Sequence, residues 1–139
     1  MLIHTHTRQI EWGDCDPAGI VFHPRYLGYF DHCTNLLFAE AGFALETLQA
    51  RFAVIGYPVV DLHSRFLAPC RQGDEVRIES WVAEFRNSSF DVQHRLWRDD
   101  TLAVEATVTR VWTVQDPADP RRMQGRPVPE VIRQALSIA

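Results

Sequence analysis

The stretch Trp12-Gly13-Asp14-Cys15-Asp16-Pro17-Ala18-Gly19-Ile20-Val21-Phe22-His23-Pro24 is a loop with two carboxylates and glycine punctuation that runs directly into the start of a helix. Asp16 offers a nucleophile or base. A helix opening near Pro24 presents unpaired backbone N–H groups and the positive end of its dipole, which favour negative charge developing on a bound carbonyl. Such a pairing suits acyl chemistry. Downstream, Tyr26, Leu27, Phe30, Cys33, Leu37 and Ala41 recur every three or four residues, with a proline at the opening and Gly42 after the close, so one long helix is expected over residues 24–41. Upstream, residues 3–12 alternate well enough to form a strand whose far end delivers Asp16.

The remainder changes period. A shorter helical segment is expected over residues 44–52, where Leu45, Leu48 and Phe52 share a face before Gly56 and Pro58 break the pattern. Val60, Leu62, Ser64 and Phe66, then Val76, Ile78 and Val82, then Phe90, Val92, His94 and Leu96 alternate with polar neighbours, as half-buried strands do. Residues 102–115 read as one last long strand with Leu102, Val104, Ala106, Val108 and Trp112 on one side. The breaks at 71–74, 86–88 and 98–100 suit hairpin connections, hence an antiparallel sheet. Residues 116–120 read as a loop, and 129–138 as a small helix through Val131, Ile132, Ala135 and Leu136. One helix and one sheet leave an apolar face uncovered, so at least a dimer is expected.

The 139 residues, 46% of them hydrophobic, suffice for one core and are too few for two ordinary domains, so residues 1–139 are expected to form a single domain. A net charge of −4 argues against a general nucleic-acid or anionic-membrane surface. All fourteen basic residues are arginine, which excludes Schiff-base chemistry and any lysine-dependent phosphate loop. Cys15, Cys33 and Cys70 are odd in number and widely spaced, a pattern of reduced thiols that points to a cytoplasmic setting. No export signal and no membrane span is apparent.

Gly13-Asp14-Cys15-Asp16-Pro17-Ala18-Gly19-Ile20-Val21-Phe22-His23-Pro24-Arg25-Tyr26, continuing through Tyr29-Phe30-Asp31, resembles the hot-dog-fold acyl-CoA thioesterases of the 4-hydroxybenzoyl-CoA thioesterase-like group. The resemblance extends over roughly residues 3–115 through the order of the elements; the tail, 117–139, is outside it and is read as loop and short helix. It implies an α+β hot-dog fold, an antiparallel sheet wrapped around one long central helix, with protomers joined edge to edge as a homodimer or homotetramer and active sites at the interface. It implies hydrolysis of an acyl-CoA to free acid and CoA with Asp16 as nucleophile or general base. By position it further implies carbonyl polarisation at His23 and Pro24, an acyl contact at Asp31, and a CoA-phosphate contact at Arg86. No metal or redox cofactor is implied. Two other classes remain open: a hot-dog hydratase, whose histidine follows an Asn-Pro-type turn that residues 16–23 do not reproduce, and a non-catalytic acyl-CoA-binding module.

The remaining polar residues have plainer readings. Asp14 is read as structural, because Pro17 and Gly19 break the regularity that would place it beside Asp16. Cys15 is read as a small buried thiol rather than a nucleophile paired with His23. His4 and His6 have metal-pair spacing without a third ligand. His63 and His94 are read as packed or interface residues. Arg65, Arg71, Arg86 and Arg110 read as a solvated face, and Trp81, Trp97 and Trp112 as packing against the sheet or a partner.

Overall fold

The computed structural model describes residues 1–137; the last position of the expected terminal helix, Ile138, lies outside them. Strand β1 (His4–Gln9) leads through a single 3-10 turn (Trp12–Asp14) into α1 (His23–Glu40), then α2 (Leu45–Phe52) and the short β2 (Val54–Gly56). β3 (Val59–Phe66), β4 (Glu75–Phe85), β5 (Ser89–Arg98) and β6 (Thr101–Val111) follow, then β7 (Thr113–Asp116), β8 (Asp119–Gly125) and α3 (Glu130–Ser137). The main sheet is antiparallel with order β1-β4-β5-β6-β3, and β2-β7-β8 form a smaller one.

α1 packs its apolar stripe on this sheet. Tyr26, Tyr29, Phe30 and Cys33 meet Val76, Ile78, Leu96, Val104, Ala106 and Val108. Leu37 and Phe38 meet Val82, Phe90, Val92 and Trp112, and α3 closes that end with Ile132 and Leu136. Each such fully buried side chain contributes about 1.5–3 kcal/mol of transfer free energy. The helix stops where Gly42 takes the left-handed conformation (φ 92°), which a side chain there would strain.

Four expectations are corrected. The break at 71–74 is not a hairpin, since β3 pairs with β6 at the far edge and the chain crosses to reach β4. β3 is not half-buried: Val60 is 61% exposed and Leu62 40%, because among the described residues no strand lies beyond that edge. The long run over 102–115 breaks at Trp112, whose buried ring turns the chain from β6 into the smaller sheet. Residues 116–120 are the tight turn of the β7–β8 hairpin, so the tail is not simply loop and helix.

One polar group is pinned in the core. Ser80 and His94 face each other across β4 and β5, and the Ser80 hydroxyl lies 2.7 Å from His94 Nδ1. Thr34 of α1 is 3.4 Å from the other ring nitrogen, and Phe30 stacks on the ring at 4.8 Å. Burial, aided by the Arg110 charge, pushes the His94 pKa down to about 3 from the ordinary 6.5. The unfolded chain therefore takes up a proton that the folded chain refuses between these values. The stabilisation is complete above pH 6.5 and lost as pH falls, by about 1.4 kcal/mol per pH unit for one proton. Denaturant titrations between pH 7 and 4.5 should show a slope steeper by about that amount than in His94→Gln; equal slopes would mean that His94 carries its proton in the folded state.

Candidate active site

The loop after β1 doubles back on itself before the helix. The Asp16 amide donates to the Ile20 carbonyl (2.9 Å), the Gly19 amide to the Asp16 carbonyl (2.9 Å) and the Phe22 amide to the Asp14 carbonyl (2.8 Å), with Cys15 opposite Val21. Gly19, at φ 80°, makes the reversal in a region that L side chains rarely adopt. The loop is held from outside by the Val21 amide, which donates to the Cys70 carbonyl (2.9 Å). Asp16 Oδ1 accepts the Ala18 N–H at 2.8 Å, the self-bonded turn that aspartate favours before proline and glycine. Among the described residues, Asp16 Oδ2 has no hydrogen-bond partner and the carboxylate forms no ion pair.

At the helix start the donors are almost all committed. Phe22 precedes α1 and gives it no side-chain cap. Its N–H goes to Asp14, the Arg25 N–H goes to the Phe22 carbonyl (2.8 Å), and Pro24 has no N–H at all. Among the described residues the His23 amide has no acceptor. The expected donor pair at residues 23 and 24 thus narrows to one backbone N–H, with Pro24 pre-setting the helical φ behind it. The His23 imidazole lies edge-on to Phe22 (5.3 Å) and to Phe66 (6.1 Å), so the ring is a wall rather than a hydrogen-bonding group in this arrangement.

That wall belongs to a cavity of about 340 Å³, with Ile20, Val21, His23 and Tyr26 on one side and residues 66–69 on the other. Asp16 is not itself on the wall; its backbone partner Ile20 is. Tyr26 is buried, and desolvation followed by the neighbouring Cys70 keeps its phenol neutral well above the usual range. A second cavity of about 290 Å³ opens near the other end of β3, lined in part by Asn35, Tyr57, Pro58, Arg110 and Met123. The Tyr57 hydroxyl donates to Asn35 Oδ1, and burial pushes the Tyr57 pKa up to about 12.

The other expected residues fall elsewhere. Asp31 accepts from Arg110 Nη2 at 2.6 Å beside the second cavity. Arg110 is not on a solvated face: it is 5% exposed, its Nη1 donates to the Tyr57 carbonyl (3.0 Å), and its Nε has no partner among the described residues. Its position has the same parity as Val108 and Trp112, a signal of an inward side chain that its charge concealed. Arg86 sits beside the β4–β5 turn, where Asp91 takes both its terminal nitrogens (2.7 and 3.2 Å) and Glu84 lies at 3.5 Å. Of the expected set, Asp16, His23 and Pro24 lie on the same loop and helix start, with Asp16 opposite Ile20, whereas Asp31 and Arg86 lie elsewhere. His4 pairs with Glu40 (3.2 Å) and His6 packs edge-on to His32, so neither shares a ligand with the other. Tyr26 and the 66–69 wall were not singled out as site residues by the sequence.

A model of the thioesterase-like superfamily matches residues 10–136. The 4-hydroxybenzoyl-CoA thioesterase of Pseudomonas sp. strain CBS-3 is 32% identical over 119 residues, covering 81% of this chain and 84% of that one. The acyl-CoA thioester hydrolase YbgC of Escherichia coli is 24% identical over 125 residues, covering 89% and 88%. A crystal structure of a 4-hydroxybenzoyl-CoA thioesterase variant complexed with 4-hydroxybenzoyl-CoA superposes with a TM-score of 0.90 at 27% identity, covering 97% of this chain and 99% of that one.

The Asp31–Arg110 pair has a measurable consequence. Removing one partner of a fully buried pair costs roughly 3–5 kcal/mol, whereas replacing both by apolar groups is often neutral. The Asp31 side chain is 63% exposed, so solvent screens part of that effect. Asp31→Ala should destabilise by about 1–2 kcal/mol in urea titration, and adding Arg110→Met should recover part of the loss. Strict additivity of the two would show that the pair does not act as one unit.

Proposed function

The chain belongs to the thioesterase-like superfamily and is a hot-dog-fold acyl-CoA thioester hydrolase, and from that premise we propose that Asp16 is its nucleophile or general base and the His23 amide its oxyanion donor. The observation that carries this reading is the pairing of residues 14–16 with residues 20–22, which ties a carboxylate with an uncommitted oxygen to a helix start with one uncommitted N–H. The reaction asks little more of a protein. The leaving thiolate has a conjugate acid of pKa about 8.5, so no general acid is needed to expel it. Negative charge gathers on the carbonyl oxygen, where a fixed amide at the positive end of α1 stabilises it. Either role uses Oδ2: direct attack gives an Asp16 acyl anhydride that water then opens, and base catalysis takes a proton from an attacking water. Both end in the free acid and CoA.

The site is completed by a second copy. β3 is paired on one side only, yet Val59, Val60, Leu62 and Phe66 are 40–61% exposed, and a bare apolar edge of this kind calls for a partner strand. Two-fold antiparallel pairing of β3 with β3 sets the Phe66 end of one copy against the Val59 end of the other. The cavity behind His23 then continues into the second cavity of the other copy, with its Asp31–Arg110 pair. The aromatic walls at His23, Tyr26 and Phe66 suit a flat acyl group, and Asp31 has a second oxygen to receive a polar substituent at its far end. Arg86, its charge already shared with Asp91 and Glu84, has a minor share in binding CoA phosphates. The three unpaired cysteines suit a reducing, cytoplasmic setting. Among the described residues no helix is long and apolar enough to cross a membrane.

Thiol release from a panel of aryl-, short- and long-chain acyl-CoAs should be fastest with aryl substrates, and Asp16→Asn should lower kcat by about 10²–10⁴. Full activity of Asp16→Asn would end the mechanism. Leu62→Arg, on the free edge, should shift the protein toward monomer in sedimentation and lower kcat/KM in proportion; an active monomer would refute the shared site.

A further inference from the structure

Asp14 lies outside the reacting groups just described: its side chain caps the 3-10 turn at 12–14 and also faces Arg8 of β1. Its Oδ2 accepts the Glu11 N–H at 3.0 Å, and Arg8 Nη2 of β1 stands 3.9 Å away. The Arg8 guanidinium carbon lies over the Tyr29 ring of α1, 3.9 Å from its centre, in the range of a cation–π contact. Tyr29 is 5% exposed; burial and then the Asp14 carboxylate raise its phenol well above the usual range. The Tyr29 hydroxyl and Arg8 Nε are both buried without a partner among the described residues. Asp14 is thus the negative centre of a small, largely buried group drawn from β1, the loop and α1, and it is 14% exposed.

Its backbone does something separate. The Asp14 carbonyl takes the Phe22 N–H at 2.8 Å, the loop's bond nearest the helix. Because that bond occupies Phe22 and proline occupies position 24, the His23 amide is the donor left over. The same bond fixes how far the His23 amide stands from Asp16, two residues along the other limb of the loop. A displacement of about 1 Å between reacting groups can cost about a hundredfold in rate.

We infer that Asp14, held by Arg8 and the Glu11 amide against Tyr29, is a positioning residue that sets the separation between the Asp16 carboxylate and the His23 amide. The inference rests on the roles proposed for those two groups. Asp14→Asn preserves shape and can still accept from Glu11, while losing the charge that holds Arg8. It should lower kcat by about tenfold and leave KM within about threefold. Arg8→Met should do the same from the other side, and the double variant should be no worse than either single one.

The decisive readout is the Asp16→Asn background. With no carboxylate left to position, adding Asp14→Asn should leave the residual rate unchanged, whereas a general loss of folded protein lowers it by the same factor as in the wild type. Equal factors in both backgrounds, or wild-type kcat in Asp14→Asn, would overturn the inference while leaving Asp16 as the reacting group. Full activity of Asp16→Asn alone would instead remove the reading on which it rests. If Asp14→Asn does not fold, Arg8→Met compared in the two Asp16 backgrounds decides by the same criterion.

Discussion

A single helix with an aromatic stripe has to be covered, and most of this structure follows from how the sheet covers it. Tyr26, Tyr29, Phe30, Cys33, Leu37 and Phe38 are all buried, so α1 is committed to the sheet over most of its length. What remains free is its beginning. Helix starts carry unsatisfied N–H groups that must be met by a cap, by water or by a ligand. Here no side chain caps the helix, and the preceding loop folds back to satisfy Phe22 alone. The unfilled donor and the loop that carries Asp16 are therefore products of the same packing constraint.

The core also contains polar groups that specify how the helix sits. An apolar stripe on an apolar sheet could slide by a turn at modest cost. The Ser80–His94 pair directly opposite Thr34 penalises such a slip, because each buried partner left unpaired costs about 1–3 kcal/mol. Registry matters here more than strength. The loop that carries Asp16 is joined to the sheet through β1 and to the helix through Phe22, so a displaced helix would also displace that loop.

Much of this was legible in the sequence where one side chain type answers one physical demand. Period 3.6 over 24–41 and period 2 over 76–96 gave the helix and the central strands, because those residues are buried on one face only. The reading failed where burial depends on what lies across an edge. The alternation over 60–66 is the same as that of β4 or β5, but β3 is an edge strand in a single chain, and no local pattern distinguishes an edge from a centre. Arg110 shows the converse: parity placed it inside and charge argued against it, and the Asp31 partner that reconciles the two lies 79 residues away. The loop's reversal and the start of the helix behind it were legible from Pro17, Gly19 and Pro24. Which amide was free was not, since that depends on where the Phe22 N–H goes.

The edge and the site are linked through β3. Its Phe66 end continues into the wall of the cavity behind His23, and its Val59 end adjoins the second cavity. In the proposed dimer, a two-fold axis through the middle of β3 brings unlike ends together, so the same exposed apolar edge that calls for a partner strand also sets which cavities meet. A monomer would keep Asp16 and the His23 amide but leave the acyl group in an open cavity, where water weakens every electrostatic contact to the developing oxyanion. In the proposed dimer, burial of the edge and exclusion of water from the carbonyl are then one event, and one strand carries both.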